Sequence, residues 1–172
     1  MTFKAQIKAS LGWDWNEGLR DNGRLEYAKG FSAGSGDNQA DAVWYAEHQV
    51  LAVGDSYTYD LSALARTILG TSHTVAFTAI KAFLVVNEST DGGELLVGGA
   101  AAHPWSEPFG DDGDRVVVPA DSAVLLSNRQ SGWPVDSAGR NLRIVASGGD
   151  VTYSIAVVGA LTPAGSGSGS GG

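Results

Sequence analysis

The sequence predicts an all-β fold, an antiparallel β-sandwich, jelly-roll-like, of about nine or ten strands. Two observations carry this. Alternation of apolar and polar residues at period 2 recurs from end to end. The segments that alternate are separated by clusters of Gly, Asp, Asn, Pro and Ser, in a chain with 24 glycines and only 17% charged residues. A small closed barrel is the alternative arrangement of the same elements.

In chain order, residues 2–9 set Phe3, Ala5 and Ile7 against Thr2, Lys4, Gln6 and Lys8, the pattern of a half-buried strand. Residues 13–18 read as a loop, and 24–31 as a second strand. The segment 39–53 fits either period, since Ala42, Val43, Ala46 and Val50 suit a helix as well as a strand. The pair Trp44–Tyr45 and the run Val50–Val53 favour a strand. Residues 57–61 form a short strand, and 62–69 read as one helical turn or an edge segment. The strongest element is 73–87, β-branched and aromatic, with both faces apolar near its end. Asp91-Gly92-Gly93 reads as a hairpin turn with 94–98 as the return strand. Strands at 115–118, 123–127, 141–146 and 151–158 complete the set, Gly148-Gly149-Asp150 closing the last hairpin. Residues 1–163 thus make a single β-sandwich domain, and 164–172 a Gly/Ser tail of the composition of a flexible linker.

Composition narrows the function. With a net charge of −8 and its 11 Lys and Arg scattered, the chain lacks the basic patch that a nucleic-acid partner requires. Hydrophobic residues at 43% supply a core. No run is long enough to span a membrane, and the first ten residues lack the apolar stretch of a secretory signal. The absence of cysteine excludes disulfides, thiolate metal sites and cysteine nucleophiles.

Catalytic and metal motifs are missing. His48, His73 and His103 stand apart, in no metal-ligand spacing, so no metal site and no cofactor is expected. The G-x-S-x-G spacing of Gly30-Phe31-Ser32-Ala33-Gly34 falls at the end of a predicted strand in a turn-rich stretch, without the strand-turn-helix context of a nucleophile, and there is no phosphate loop. Asp111-Asp112-Gly113-Asp114 is the best cation candidate, through Asp112 and Asp114, but it lacks the ordered ligand positions of a calcium loop. The bland alternative is an acidic, solvated tip. Trp13, Trp15, Trp105 and Trp133 fall in predicted loops, where indoles cap the open ends of a sandwich, meet a subunit or stack on sugar rings. Capping or subunit contact is favoured. Trp44 reads as core.

The stretch from Thr74 to Asn87 resembles a recurrent segment in small jelly-roll structural proteins of tailed bacteriophages, decoration-type virion components among them. There a strand of the form F-x-x-I-K followed by alternating hydrophobics and Asn precedes a Gly-rich return, here Leu95 to Ala100. Val116-Val117-Val118-Pro119, then 123–126, then 151–159 with Tyr153, follow the same pattern, so the likeness covers about half of the chain. It departs after Pro119, where Ala120-Asp121 stand in place of the usual Gly-Gly. The resemblance implies a non-enzymatic virion protein, assembled in the host cytoplasm, with itself and the major capsid protein as partners. Capsid decoration is the expected role, and a closed homo-oligomer, for instance a trimer, the expected state. The second reading is a carbohydrate-binding sandwich using the loop tryptophans, assisted by calcium at Asp112 and Asp114; a glycosidase is third.

A contact surface can be named. Ile80, Phe83, Leu84, Val85 and Val86 make both faces of one strand apolar. A sandwich strand needs only one such face, so the other requires cover by a loop, a helix or another subunit, and another subunit is expected. Strict alternation sets Phe83 and Val85 on one side, with Ile80, Leu84 and Val86 on the other.

Overall fold

A computed structural model describes residues 3–16, 18 and 20–161, leaving the side chain of Asn16 aside; the tail expected at 164–172 lies outside these residues. Among them the chain forms fourteen strands and no helix, more strands than the nine or ten expected. They are β1 (Ala5–Asn16), β2 (Arg20–Ala33), β3 (Gln39–Ala40), β4 (Ala42–Leu51), β5 (Ser56–Asp60), β6 (Leu64–Ile68), β7 (Thr71–Val75), β8 (Phe77–Asn87), β9 (Glu94–Gly98), β10 (Arg115–Val118), β11 (Ser122–Ser127), β12 (Trp133–Pro134), β13 (Asn141–Ser147) and β14 (Val151–Leu161).

Eight strands make an antiparallel sandwich. One sheet runs β11-β8-β14-β4, and the other β10-β9-β13-β5. Numbered among themselves along the chain, the eight fall in the order 6-3-8-1 in the first sheet and 5-4-7-2 in the second, the interleaving of a jelly roll. This corrects two local expectations. β9 does not return beside β8, and β13 does not form a hairpin with β14, because both connections cross from one sheet to the other. Gly-rich corners make the two crossings and pack together. A Cβ on Gly93 would stand 2.5 Å from the Asp150 carbonyl oxygen. Buried Asn87 braces the corner, its amide donating to the carbonyls of Gly93 (2.8 Å) and Val118 (3.0 Å).

The additional strands have local causes. The segment 62–69 is neither helical turn nor sandwich edge but β6, paired with β7 as a separate hairpin, and the expected strand 73–87 breaks at Ala76 into β7 and β8. The core lies between the sheets, and alternation puts it there. In β13 Leu142, Ile144 and Ala146 point inward, and in β14 Val151, Tyr153, Ile155 and Val157 do. Buried apolar area of this kind, at roughly 25 cal/mol per Å², is the main force holding the sheets together.

β8 departs from regular pairing with β14 at two places, at Thr78, between the Ala79–Ala160 and Phe77–Leu161 pairs, and at Lys81. Ala82 pairs Val158, but Gly159 pairs Ile80, so Lys81 is an extra residue in the ladder. The bulge turns Ile80 back to the core beside Phe83 and Val85, instead of outward with Leu84 and Val86 as strict alternation requires. Close approach at the bulge demands glycine: a Cβ on Gly159 would sit 2.2 Å from the Ala79 carbonyl oxygen.

Candidate functional site

β1 and β2 pair with each other from Ala5↔Phe31 to Asn16↔Arg20, forming one long arm that is two-stranded except at its root, where β3 pairs parallel to β2 at Ser32 and Ala33. Residues opposite each other in an antiparallel ladder share a face. One face therefore carries Ala5, Ile7, Ala9, Leu11, Trp13 and Trp15 from β1, with Phe31, Tyr27 and Leu25 across from them and Lys29 and Asp21 as its charged members, opposite Ile7 and Trp15. The other face is polar. Along it Arg24 Nε donates to Ser10 Oγ (2.8 Å), and Glu26 lies 2.9 Å from Arg24 and 3.6 Å from Lys8. The arm is thus amphipathic over its whole length.

Only the root of the apolar face is covered. Ile7 and Phe31 are buried with Ala40 and Ala82, and Leu125 and Val158 pack against them. Several links fasten this root to the body. Arg129 donates to the Gly30 carbonyl (2.6 Å), and its guanidinium stands 5.3 Å above the Phe31 ring. The Asn38 amide donates to the Arg129 carbonyl (2.8 Å). Lys81, buried at the bulge, donates from Nζ to the carbonyls of Gly36 and Gln130. Burial holds its ammonium below the usual lysine range, while the nearby Asp37 charge pulls the other way.

Beyond the root the stripe runs out into solvent. Leu11 is 67% exposed, Leu25 70%, Trp15 54% and Trp13 45%. From Ile7 to Trp15 is about 27 Å at the usual rise of a strand. Trp13 is held in place: its indole nitrogen reaches Asp21 Oδ2 (3.4 Å), and its ring lies so close over Gly23 that a Cβ there would be 2.2 Å from it. A large apolar side chain pre-positioned in water has the character of an interface anchor.

The arm root sits on the outer face of the β11-β8-β14-β4 sheet, and that face is apolar too. Register across four strands lines up Tyr45, Ala156, Leu84 and Leu125 in one row, and Val43, Val158 and Ala82 in the next. The arm covers the second row at Ala82 and Val158. Around the first row lie two open concavities. One, of about 310 Å³, is lined by Val43, Tyr45, Leu84, Val86 and Ala156 among others. The other, of about 670 Å³, is a cleft between β1 at residues 6–10 and the sheet at Leu84, Ala123 and Ala156.

Of the contact residues expected from sequence, Leu84 and Val86 lie half-buried on this outer face. Ile80, Phe83 and Val85 are core residues, at most 1% exposed, and are withdrawn from the surface. The four tryptophans separate. Trp13 lies on a strand, not in the expected loop, and so does Trp15. Trp105 is buried and Trp133 half-buried, stacked edge-on with each other (6.0 Å) and with Phe83 and Phe109, so they close one end of the core and offer no ligand platform. Trp105 Nε1 donates to the Pro134 carbonyl there (2.9 Å). Asp112 accepts from the Ser106 hydroxyl (2.9 Å) and Asp114 from the Asp111 amide (2.9 Å), so each carboxylate closes its own loop. Among the described residues no group of three or more His, Asp or Glu is arranged to hold a metal ion.

One polar cluster had no sequence signal. At a bulge in β4, His48 adopts left-handed backbone geometry (φ 52°), its amide donating to Ser154 Oγ (3.1 Å) and its Nδ1 lying 2.8 Å from Glu88. Ser154 donates to the other Glu88 oxygen, and these two bonds hold the Glu88 carboxyl below its usual range, Ser154 contributing most. The carboxylate is the hub of the cluster. The serine hydroxyl bonds to Glu88 and not to the imidazole, so the three side chains are not in the order of a Ser-His-Asp triad.

No family model matches the chain, and no curated protein is detectably similar to it.

Proposed function

We propose that this chain is a non-enzymatic structural subunit of a tailed-phage virion, a capsid-decoration-type protein acting through protein–protein contacts and self-association. One observation carries the reading: the apolar face of the arm begins buried on the chain's own sheet and continues, fully formed, into solvent. A monomer gains nothing from displaying Leu11, Leu25 and Trp15, whereas an assembly subunit gains a rigid anchor. The jelly-roll strand order is the architecture that the likeness to phage structural proteins implies, and it supports the same reading. The partners on this view are further copies and the major capsid protein, and the location is the virion. Mass spectrometry of purified particles tests it. The protein should be present in many copies per particle, and its absence from particles would remove the proposal.

The exposed indole of Trp15 sustains carbohydrate binding as the second reading. A glycan array run with and without chelator separates the two. Binding to one glycan class, lost on Trp15→Ala, would favour the second reading, and no signal at high protein concentration would dispose of it.

A further inference from the structure

We infer that the exposed apolar face of the arm docks on the open row of the outer sheet of a second copy of this chain, the row centred on Leu84, Ala156 and Tyr45. The inference rests on the assembly reading above and names the partner of that surface.

The chain already contains the contact in half-length. Ile7 and Phe31 rest on Ala82, Leu125 and Val158, so the apolar face of this arm and the outer face of this sheet are complementary surfaces. The open row lies one pleat further along the same strands, roughly 7 Å away, with Leu84 next to Ala82 and Ala156 next to Val158 on that face. It continues an interface the molecule has built. The arm likewise continues past Ile7 with Ala9, Leu11 and Trp13 on the same face, and with Tyr27 and Leu25 opposite. Between Lys29 and Asp21 the donor stripe is apolar; the acceptor row is apolar as far as Tyr45, over whose ring the Arg66 guanidinium stands at 5.2 Å; and one chain carries both.

The arm does not fill its own row. Between β1 and the sheet the cleft at Leu84, Ala123 and Ala156 stays open, and Leu11 remains 67% exposed. A second arm can enter from outside without displacing the first root. Because the arm tip and the sheet row are distinct patches, the contact is made either reciprocally by two copies or head-to-tail around a ring. The arm's ion pairs Lys8–Glu26 and Arg24–Glu26 lie on the opposite, polar face, and the charges on the docking face, Lys29 opposite the buried Ile7 and Asp21 opposite Trp15, stand at the two ends of the stripe and leave Leu11, Leu25 and Tyr27 between them.

The chain has no cysteine, so introduced ones report cleanly. Leu11→Cys is purified separately from Leu84→Cys and from Tyr45→Cys, the second acceptor guarding against a folding defect in the first. Donor and acceptor proteins are mixed and mildly oxidised. The expected result is a disulfide-linked pair containing one chain of each kind, formed in preference to either self-pair. Wild type should sediment as a multimer at tens of micromolar, roughly where weak interfaces register. Leu25→Ser, far from both cysteine positions on the acceptor, should weaken association at least about tenfold. A cross-link that forms within a chain carrying both Leu11→Cys and Leu84→Cys, but never between separately carried cysteines, would mean the arm folds back on itself, and would overturn the inference. So would a wild type that stays monomeric with no mixed product. A monomer still found in particles would leave the virion proposal standing with this inference gone. Mixed cross-links in a protein absent from particles would do the reverse.

Discussion

Leu11 and Leu25 stand directly opposite each other across the arm, on the face that buries Ile7 and Phe31, and both are about two-thirds exposed. Neither contributes to the core, so replacing them tests the surface without testing the fold. Leu11→Ser/Leu25→Ser should unfold within about 0.5 kcal/mol of wild type when both are dilute enough to be monomeric. At high concentration wild type should gain in melting temperature and the variant should not, because association stabilises only the form that associates. Differential scanning calorimetry across a concentration series gives both numbers.

The root behaves differently. Ile7, Phe31, Ala40 and Ala82 form a cluster separate from the main core. Ile7→Ala should cost about 2–4 kcal/mol, typical of a buried aliphatic truncation, but the loss should be local. Native-state hydrogen exchange should show β1 and β2 losing protection while β8, β13 and β14 keep theirs. Uniform loss across all five strands would mean that the arm is integral to the core.

The sandwich was legible in the sequence because its strands obey one simple rule. Leu142, Ile144 and Ala146, or Val151, Tyr153, Ile155 and Val157, alternate without interruption, and the structure uses them as they read. Which strands pair was not legible, since Gly92-Gly93 and Gly148-Gly149 look the same whether a chain turns back or crosses to the other sheet. The bulge at Lys81 left no local mark either; it is set by the close contact of Gly159 with Ala79, far off in sequence. The arm could have been found. Trp13 and Trp15 keep step with Ile7 and Leu11, but reading 13–18 as a loop cut the stripe in two. Trp105 and Trp133 show the limit from the other side. The flanking Pro, Ser and Glu describe a loop correctly at Trp105, while Trp133 lies on the short strand β12 paired with β8, and both indoles fold onto Phe83 and become core.

Tyr59 and Tyr153 come from opposite sheets and share a hydrogen bond of 2.8 Å in the buried interior. Either single change to Phe leaves one hydroxyl without its partner and should cost about 1–3 kcal/mol in urea unfolding. The double change should cost less than the two summed, because no orphaned hydroxyl then remains. Burial pushes both phenols upward, and for Tyr59 the bond to Tyr153 adds to that. The sign for pH follows. Both states hold the proton below the ordinary phenol value of 10.0, so stability there is unaffected. Above it the unfolded chain ionises first, and stability should fall as pH rises. The double Phe variant should lose most of that alkaline slope.

Lys81 joins the fold to the arm. It is the extra residue of the β8 bulge, nearly fully buried, and its ammonium spans the Gly36 carbonyl, just after the arm, and the Gln130 carbonyl, between β11 and β12. Lys81→Met keeps the length and apolar stem but removes the donors, leaving two carbonyls to find water or remain unpaired. The expected loss is about 1–3 kcal/mol in chemical denaturation. The location of the damage matters more than its size. Loosening should concentrate at residues 34–38 and at the arm root, which this side chain ties down together with Arg129, the β2–β3 pairing and the Ile7–Phe31 cluster, while the Ile80, Phe83 and Val85 face stays packed. If the outer sheet receives a second arm, its position depends on the first root staying down, so Lys81→Met should also weaken self-association although Lys81 touches no part of the exposed stripe. Sedimentation equilibrium of a folded Lys81→Met protein decides this, and association equal to wild type would show that the root does not position the surface.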